Sequence, residues 1–291
     1  MVAVAWGLAR SLTAVILFAL AMSACGGNPG VAAVSPSPTP KPTPKPSPNS
    51  HIFVIVMENK SPAQALSGAY TASLAQRYAL LTNYQAVAHP SLPNYLALTS
   101  GKTYGITDDG YHPLPRGGIG DQLSSAGVSW RAYMEGMSGD CLTDGGGYAV
   151  KHNPFAYYGA SCPSNVVSLD PLVGDLASNA PQFVWISPDL CHDTHDCPVQ
   201  SGDDWLALTV PKITASPAWR QNGVLFIVWD EADDQSNAVA ALVIAPRLQA
   251  HSSAVAYDHY SLLATIQDRL GVGRLGNTAS ANAIKDVIAT R

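Results

Sequence analysis

The segment His51–Asn59 (HIFVIVMEN) constrains the fold of this chain more than any other. Residues Ile52–Met57 are all apolar and four of the six are β-branched, without the alternation that marks a half-exposed strand. This run predicts a strand buried on both faces, as in a parallel sheet covered by helices. It ends at Glu58 and Asn59, and the carboxyl ends of such strands open into the ligand crevice. Two oxygen donors there suit a hard divalent cation or a phosphate-like substrate; the alternative is a polar turn that ends a core strand.

A second segment repeats this pattern. Gly223–Trp229 (GVLFIVW) is a continuous apolar run that ends in Asp230 and Glu231. Because parallel strands end at one edge of a sheet, the two polar pairs are predicted to converge there. Glu58 and Asn59 would then join Asp230 and Glu231 in supplying four oxygen ligands to one divalent cation.

The N-terminus predicts export. Arg10 is followed by the mostly apolar Ser11–Ser23, which is too short to span a membrane comfortably and ends in small residues. We interpret residues 1–24 as a signal peptide of lipoprotein type, because Met22-Ser23-Ala24-Cys25 resembles a bacterial lipobox in which Cys25 is lipidated. Ordinary secretion and an uncleaved anchor are the alternatives. The protein is then expected on the outer face of the bacterial cell membrane, held by the lipid anchor alone, or secreted.

A Pro-rich linker, residues 25–50, follows the signal peptide and contains VSPSPTPKPTPKPSPNS. This composition predicts an extended tether, so residues 51–291 form the folded domain. The hydrophobic fraction of 47% provides a core, and the net charge of −5 with no Lys/Arg cluster argues against nucleic-acid binding. We expect a monomer.

Four cysteines remain after Cys25, an even number that predicts two disulfides in an exported domain. Of the three possible connectivities we favour pairing near neighbours, Cys141 with Cys162 and Cys191 with Cys197. A cysteine metal site is the competing interpretation, but the spacings do not match zinc ribbons or knuckles.

Ser91 lies between two prolines, before a helix predicted to begin at about Pro93. The first turn of a helix offers free N–H groups, so a hydroxyl there could attack phosphorus while the amides hold the phosphoryl oxygens. The alternative is that Ser91 only caps the helix. Asp203 is predicted to be the N-cap of a later helix.

The segment Ser187–Cys197 follows a predicted buried strand, Gln182–Ile186, and is dense in metal-ligating and acid–base groups. It holds three Asp and two His within eight residues, a pattern that favours a functional site. His152 lies in a loop and carries little weight alone.

Taken in order, seven motifs resemble those of the bacterial and fungal phosphoesterase family that contains acid phosphatases and phospholipases C. The motifs are VIVMEN, HPSLPNYLALTSG, KHNPFAYY, PDLCHDTHDC, GDDWL, VWDEADD and YDHYSLLATIQDRLG. The resemblance covers roughly residues 51–282. It implies an α/β fold of the alkaline phosphatase-like superfamily, a three-layer α/β/α sandwich around a mostly parallel sheet.

The resemblance also implies roles for individual residues. Glu58, Asn59, Asp230 and Glu231 match the family's metal-binding positions, and Ser91 stands where the nucleophile is expected. His152, Asp193 and His195 match positions that line the phosphate pocket. His192 replaces a small polar residue that is common in the family, and we assign it no role.

These expectations predict a metal-assisted phosphomonoesterase of acid phosphatase type, acting on a phosphorylated small molecule or a phospholipid. The cation would activate Ser91, a phosphoserine would form, and His152 or His195 would protonate the leaving group. Oxygen ligands favour Mg²⁺, Ca²⁺ or Mn²⁺, and His195 would permit Zn²⁺ or iron. The alternatives are a phospholipase C or other phosphodiesterase, and a non-catalytic surface lipoprotein that binds a phosphorylated ligand.

Overall fold

The structure, a computed structural model, describes residues 50–288. The predicted signal peptide, Cys25 and all but the last residue of the linker lie outside this range. The strands are β1 (His51–Met57), β2 (Ala79–Leu81), β3 (Tyr84–Gln85), β4 (Trp130–Met134), β5 (Val166–Ser168), β6 (Phe183–Ser187), β7 (Gly223–Trp229), β8 (Ala241–Ile244), β9 (His251–Ser253) and β10 (Tyr257–Asp258). The helices are α1 (Pro62–Ala65), α2 (Ala69–Arg77), α3 (Ser91–Ser100), α4 (Gly118–Ser125), α5 (Leu172–Ser178), α6 (Val199–Thr214), α7 (Pro217–Asn222) and α8 (His259–Leu270), and 3₁₀ turns cover Val150–His152, Pro154–Ala156 and Gly276–Ala279.

Eight strands form the central sheet in the order β5-β4-β6-β1-β7-β8-β2-β9. In this described part of the chain β8 runs antiparallel to both neighbours, and the other pairs are parallel. The predicted strand β1 lies near the middle, between β6 and β7, and all seven of its residues are buried. The prediction that apolar runs mark strands buried on both faces is therefore confirmed for β1 and β7.

The described helices contact one another in two groups, which cover the sheet as the predicted three-layer arrangement requires. One group is α3 with α4 and α8, and the other is α2 with α5, α6 and α7. Within residues 50–288, no helix is both long and apolar enough to cross a bilayer. The disulfides join Cys141 to Cys162 and Cys191 to Cys197, the pairing favoured from the sequence.

The prediction that Asp203 caps its own helix is wrong. Helix α6 begins at Val199, so Asp203 is its fifth residue and is buried. The carboxylate instead accepts the backbone N–H groups of Tyr70 and Thr71, at 2.8 and 2.7 Å, and the Thr71 hydroxyl. These are the N–H groups that an N-cap side chain of α2 would bind, but the N-cap of α2 is Gly68, which has no side chain. Asp203 is thus a cap supplied by a neighbouring helix.

Candidate active site

Buried carboxyl groups converge at the carboxyl edge of the sheet. Strands β1 and β7 pair in register, with Met57 opposite Trp229, so the residues that follow them lie side by side. Those residues are Glu58 and Asp230, and both are fully buried. The backbone also links them, because Asn59 donates its N–H to Asp230 Oδ1 at 3.2 Å. The pairing register of β1 and β7 therefore brings together the residues that follow the two strands.

The Ser91 hydroxyl lies among these carboxylates. Helix α3 begins at Ser91, two residues before the predicted start, and the N-cap is Pro90. Ser91 is therefore not the cap. Its Oγ lies 2.9 Å from Glu58 Oε2 and 3.3 Å from Glu231 Oε1, and its side chain is only 1% exposed. A hydroxyl whose proton points at carboxylates, in the first turn of a helix, has the environment of an activated nucleophile.

Two asparagines hold the turn that carries Ser91. Asn94 accepts the N–H groups of Val87 and Ala88 and donates to the carbonyls of Ala88 and Pro90. Asn237 donates to the Ala88 carbonyl at 2.8 Å and accepts the N–H of residue 232, in the loop after β7. The turn is thereby fixed both to its own helix and to the loop that carries Glu231.

His152 lies on the other side of Glu58. Its Nε2 is 3.2 Å from Glu58 Oε1 and its Nδ1 is 3.1 Å from Asp193 Oδ2, so the ring bridges two carboxylates. The ring stacks on Tyr95, which donates its hydroxyl to Glu58 Oε1. Burial lowers the pKa of His152 well below its ordinary value, as do the charges of Lys151 and His195, so the imidazole is neutral near pH 7.

The carboxyl groups carry raised pKa values because they are buried together. Burial raises the pKa of Glu58, and the charges of Asp230 and Asp193 raise it further. Burial raises the pKa of Asp230 to about 8 and that of Asp193 to about 7. It also raises the pKa of Glu231, although a hydrogen bond with His89 opposes the shift. The raised pKa values show that ionising these buried acid groups is unfavourable, because the neighbouring protein groups do not balance the charge.

A cation fits this environment. Asp230 Oδ2 is buried and has no hydrogen-bond partner among the described residues, and carboxylate oxygens are the ligands that hard divalent cations prefer. Glu58 and Glu231 lie within hydrogen-bond distance of the Ser91 hydroxyl, and Asp230 follows β7 beside Glu58. For Asn59, the structure gives a backbone contact to Asp230 and a position beside Glu231 in an open groove.

One set of closely spaced ligand atoms is present among the described residues of this site. One atom each from Glu58, His152 and His195 lie within 4.8 Å of one another. The two imidazoles make this set softer than carboxylates alone, and it suits Zn²⁺ or iron better than Mg²⁺. Asp230 and Glu231, predicted as oxygen ligands, are not part of this set.

The loop after β6 brings Asp193 and His195 to the site. Thr194 has a φ of 80°, which is strained for a β-branched residue, and its hydroxyl donates to the Glu58 carbonyl at 2.8 Å. Gly202 of α6 approaches so closely that a Cβ there would lie 2.4 Å from Thr194 Cγ2 and 2.8 Å from the His192 carbonyl oxygen. The loop is therefore clamped between β1 and α6.

His195 lies at the mouth of the site, 27% exposed, with Nδ1 2.7 Å from Asp196 and Nε2 3.1 Å from Lys151 Nζ. His192, which received no role, points away from the site. Its Nδ1 is 3.0 Å from Glu135, and its ring stacks on Trp205.

Several site residues were not predicted. Asn94 and Tyr95 lie three and four positions after Ser91, so a helix start placed at Ser91 would have put them on its face. His259 is buried, donates Nε2–H to the Asp230 carbonyl and contacts the Tyr84 hydroxyl, which orients the residue after β7. From the sequence, a position facing the site and a packing role at the start of a helix are equally compatible with His259, and only its contacts with distant residues decide between them.

Asp109 and Lys151 also reach the site. Lys151 Nζ donates to Asp109 Oδ2 at 2.9 Å, and Asp109 Oδ1 accepts the Leu92 N–H at 3.0 Å. Asp109 comes from a polar, Gly/Pro-rich loop in which the sequence makes it a possible site residue but favours solvent exposure, and Lys151 was not singled out.

Comparison with known proteins finds a matching family model and related sequences. The model of the family described as Phosphoesterase family matches residues 64–273. A phosphatidylinositol-3-phosphatase of Mycobacterium tuberculosis is 29% identical over 252 residues, which cover 82% of this chain and 82% of that protein. A probable acid phosphatase of Kluyveromyces lactis is 26% identical over 265 residues, and the match covers 81% of this chain but only 62% of that relative's length.

Solved structures confirm the predicted fold. A protein in the alkaline phosphatase superfamily from Vibrio parahaemolyticus superposes with a TM-score of 0.58 at 14% identity. The superposition covers 84% of this chain and 73% of that one.

Proposed function

The chain belongs to the phosphoesterase family, and from this premise we propose that it hydrolyses phosphate monoesters through a phosphoserine at Ser91. One observation carries the proposal: the buried Ser91 hydroxyl lies in the first turn of α3 with its proton directed at Glu58 and Glu231. That arrangement supplies a nucleophile, a proton acceptor and helix N–H groups for the phosphoryl oxygens.

The reaction divides into two transfers. Ser91 Oγ attacks phosphorus and its proton passes to Glu58 or Glu231, while the bond from phosphorus to the leaving oxygen breaks. The leaving alkoxide takes a proton from His195 in the form protonated at Nε2, since His195 is the more exposed of the two histidines and His152 is buried between Glu58 and Asp193. Water then attacks the phosphoserine and gives a proton to His195, while the carboxyl group that took the Ser91 proton returns it to Oγ as inorganic phosphate leaves. His152 and Asp193 orient the groups around the phosphoryl centre.

One divalent cation would be held by Glu58, Asp230 and Glu231, with Asn59 beside them. When bound, it would neutralise phosphate charge and lower the pKa of the Ser91 hydroxyl. Mg²⁺, Mn²⁺ and Ca²⁺ suit this oxygen set, and Zn²⁺ suits the set that includes His152 and His195.

Phosphate monoesters are the substrates we favour. The relatives named above are a phosphatidylinositol-3-phosphatase and a probable acid phosphatase, whose names both denote removal of a phosphoryl group from a monoester. The substrate is then a phosphorylated small molecule or a phosphorylated lipid headgroup. We place the enzyme outside the cytoplasm, as a lipoprotein anchored at Cys25 or as a secreted protein, and the two disulfides support export.

The test compares p-nitrophenyl phosphate with bis(p-nitrophenyl) phosphate, using the purified full-length chain with and without chelator. We expect faster cleavage of the monoester, loss of activity with chelator, and a phosphoryl group on Ser91 by mass spectrometry after acid quench. Ser91→Ala should lose on the order of 10³-fold or more in kcat.

The matched control is Ser100→Ala, a buried serine at the other end of α3 that donates to the Leu96 carbonyl. It should retain activity. Substantial turnover by Ser91→Ala would eliminate the phosphoserine scheme. Faster diester cleavage would indicate a phosphodiesterase or phospholipase C, and phosphate binding without turnover would indicate a binding protein.

A further inference from the structure

Asp109 holds an N–H group that the proposed chemistry needs for the substrate. The first N–H groups of a helix have no partner within the helix, and in α3 the third residue, Pro93, has none to offer. Leu92 follows the proposed nucleophile directly, and its N–H is accepted by Asp109 Oδ1 at 3.0 Å. A carboxylate of the chain therefore occupies a position where a phosphoryl oxygen on Ser91 would be stabilised.

Lys151 holds the other oxygen of the same carboxylate. Its Nζ lies 2.9 Å from Asp109 Oδ2 and 3.1 Å from His195 Nε2, so the ammonium points toward the mouth of the site. The side chains of Lys151 and Asp109 are 20% and 30% exposed. An ammonium at this depth is a strong phosphate ligand, because it is partly desolvated and keeps its charge.

These two contacts together resemble the binding of a ligand. One anionic group spans the helix N–H next to the nucleophile and the nearest ammonium, with one oxygen on each donor. A phosphate monoester dianion offers the same pattern of oxygens with greater charge. Asp109 lies in the segment between α3 and α4, residues 101–117, where the described structure is turns and bends apart from an isolated β-bridge at Leu114. A segment of this kind can shift without disturbing the sheet.

We propose that Asp109 is an internal substitute for the phosphoryl group: it occupies the Leu92 N–H and Lys151 Nζ in the free enzyme, and the substrate displaces it. The inference rests on the proposed function and adds to it a residue that competes with the substrate and a residue that selects it. Lys151, released from Asp109, binds the displacing phosphoryl oxygens. The exchange favours dianionic monoesters over monoanionic diesters, because only a group of higher charge than the carboxylate binds the Leu92 N–H and Lys151 Nζ with a more favourable free energy.

Binding of inorganic phosphate tests the exchange without turnover. The measurement is isothermal titration calorimetry on the full-length chain at fixed cation concentration. Asp109→Ala and Asp109→Asn should bind phosphate more tightly, by about tenfold for the alanine variant, because the competing carboxylate is gone. Lys151→Met should bind it at least about tenfold more weakly, since it loses a charge-assisted hydrogen bond.

The matched control is Asp108→Asn. Asp108 is the neighbouring acid in the same loop and is well exposed. Its carboxylate contacts Gly110 and His112, whereas that of Asp109 contacts Leu92 and Lys151. The Asp108→Asn variant loses the same charge one residue away, so it should bind phosphate as tightly as the wild type does. A second readout is selectivity: Lys151→Met should lose more kcat/KM on p-nitrophenyl phosphate than on bis(p-nitrophenyl) phosphate.

The outcomes separate the two proposals. If the wild type turns over monoesters but the Asp109 variants bind phosphate equally or more weakly, the substitution idea is overturned and the phosphatase stands. Unchanged phosphate binding in Lys151→Met, or equal losses on both esters, overturns it as well. If the wild type neither binds phosphate nor cleaves either ester, both proposals fail together.

Discussion

Removing the Asp203 carboxylate should destabilise the protein far more than removing its neighbour. In Asp203→Ala the backbone N–H groups of Tyr70 and Thr71 lose their acceptor, as does the Thr71 hydroxyl. Gly68, the N-cap residue of α2, has no side chain that could replace it. The change therefore leaves buried donors unpaired at the start of one helix and a gap in another.

The expected cost follows from these contacts. Loss of an N-cap acceptor costs about 0.5–2 kcal/mol, and hydrogen bonds to a charged acceptor contribute about 1.5–3 kcal/mol. Relief from burying the carboxylate offsets part of this sum, so we expect a net loss of about 2–4 kcal/mol. For a domain of this size, that loss lowers Tm by roughly 5–15 °C.

The measurement is thermal and urea unfolding of the full-length chain, followed by circular dichroism. The control is Asp204→Ala, which removes an exposed carboxylate one position along α6 whose partner is the Gln200 side chain. It should change stability by less than about 0.5 kcal/mol. Equal losses in the two variants, or no measurable loss in Asp203→Ala, would refute the assignment of Asp203 as a cap for α2.

Three further predictions follow from the packing and charge of other sites. Gly202→Ala should lower stability by about 1–3 kcal/mol and reduce kcat, because its Cβ would clash with the loop that carries Asp193. The control is Gly174→Ala, whose Cβ would point into open space. Equal effects of the two changes in unfolding and turnover assays would argue against the clamp. Saturating Mg²⁺ or Mn²⁺ should raise the Tm of the chelated wild type and leave that of Asp230→Asn nearly unchanged; the same rise in both would place the cation elsewhere. Burial raises the pKa of Asp175, but hydrogen bonds from Tyr133 and Arg131 outweigh it and hold the pKa below the ordinary value. Asp175→Asn should therefore lower the free energy of unfolding by about 1 kcal/mol near pH 7 and by progressively less below about pH 4. A difference from wild type that stays constant down to pH 2 in urea unfolding would contradict this sign.

The apolar strands could be predicted from the sequence because burial on both faces leaves a continuous pattern. That pattern located β1 and β7, and pairing in register then placed Glu58 beside Asp230 without any further information. The apolar run Ala238–Ala245 also predicts a strand, but β8 covers only Ala241–Ile244.

Other features depend on contacts that no local pattern encodes. Asp203 has the sequence of an N-cap, yet its partners are about 130 residues away. The start of α3 was misplaced by two residues because prolines are compatible with either position. Asp109 and Lys151 lie 42 residues apart in polar loops, and only the folded chain shows that they meet beside Leu92.

The distribution of ionisable groups in the site would make cation binding and phosphate binding interdependent. The interior is acidic, with Glu58, Asp193 and Asp230 fully buried, and each of them that is ionised would repel a phosphate dianion approaching Ser91. The donors that would attract the dianion are Lys151 and the N–H groups of α3. A cation bound among the buried carboxylates would offset that repulsion. By linkage, the factor by which the cation tightens phosphate binding must equal the factor by which phosphate tightens cation binding. A site built in this way would bind phosphate tightly only with the cation present, because the dianion alone adds negative charge to the buried carboxyl groups.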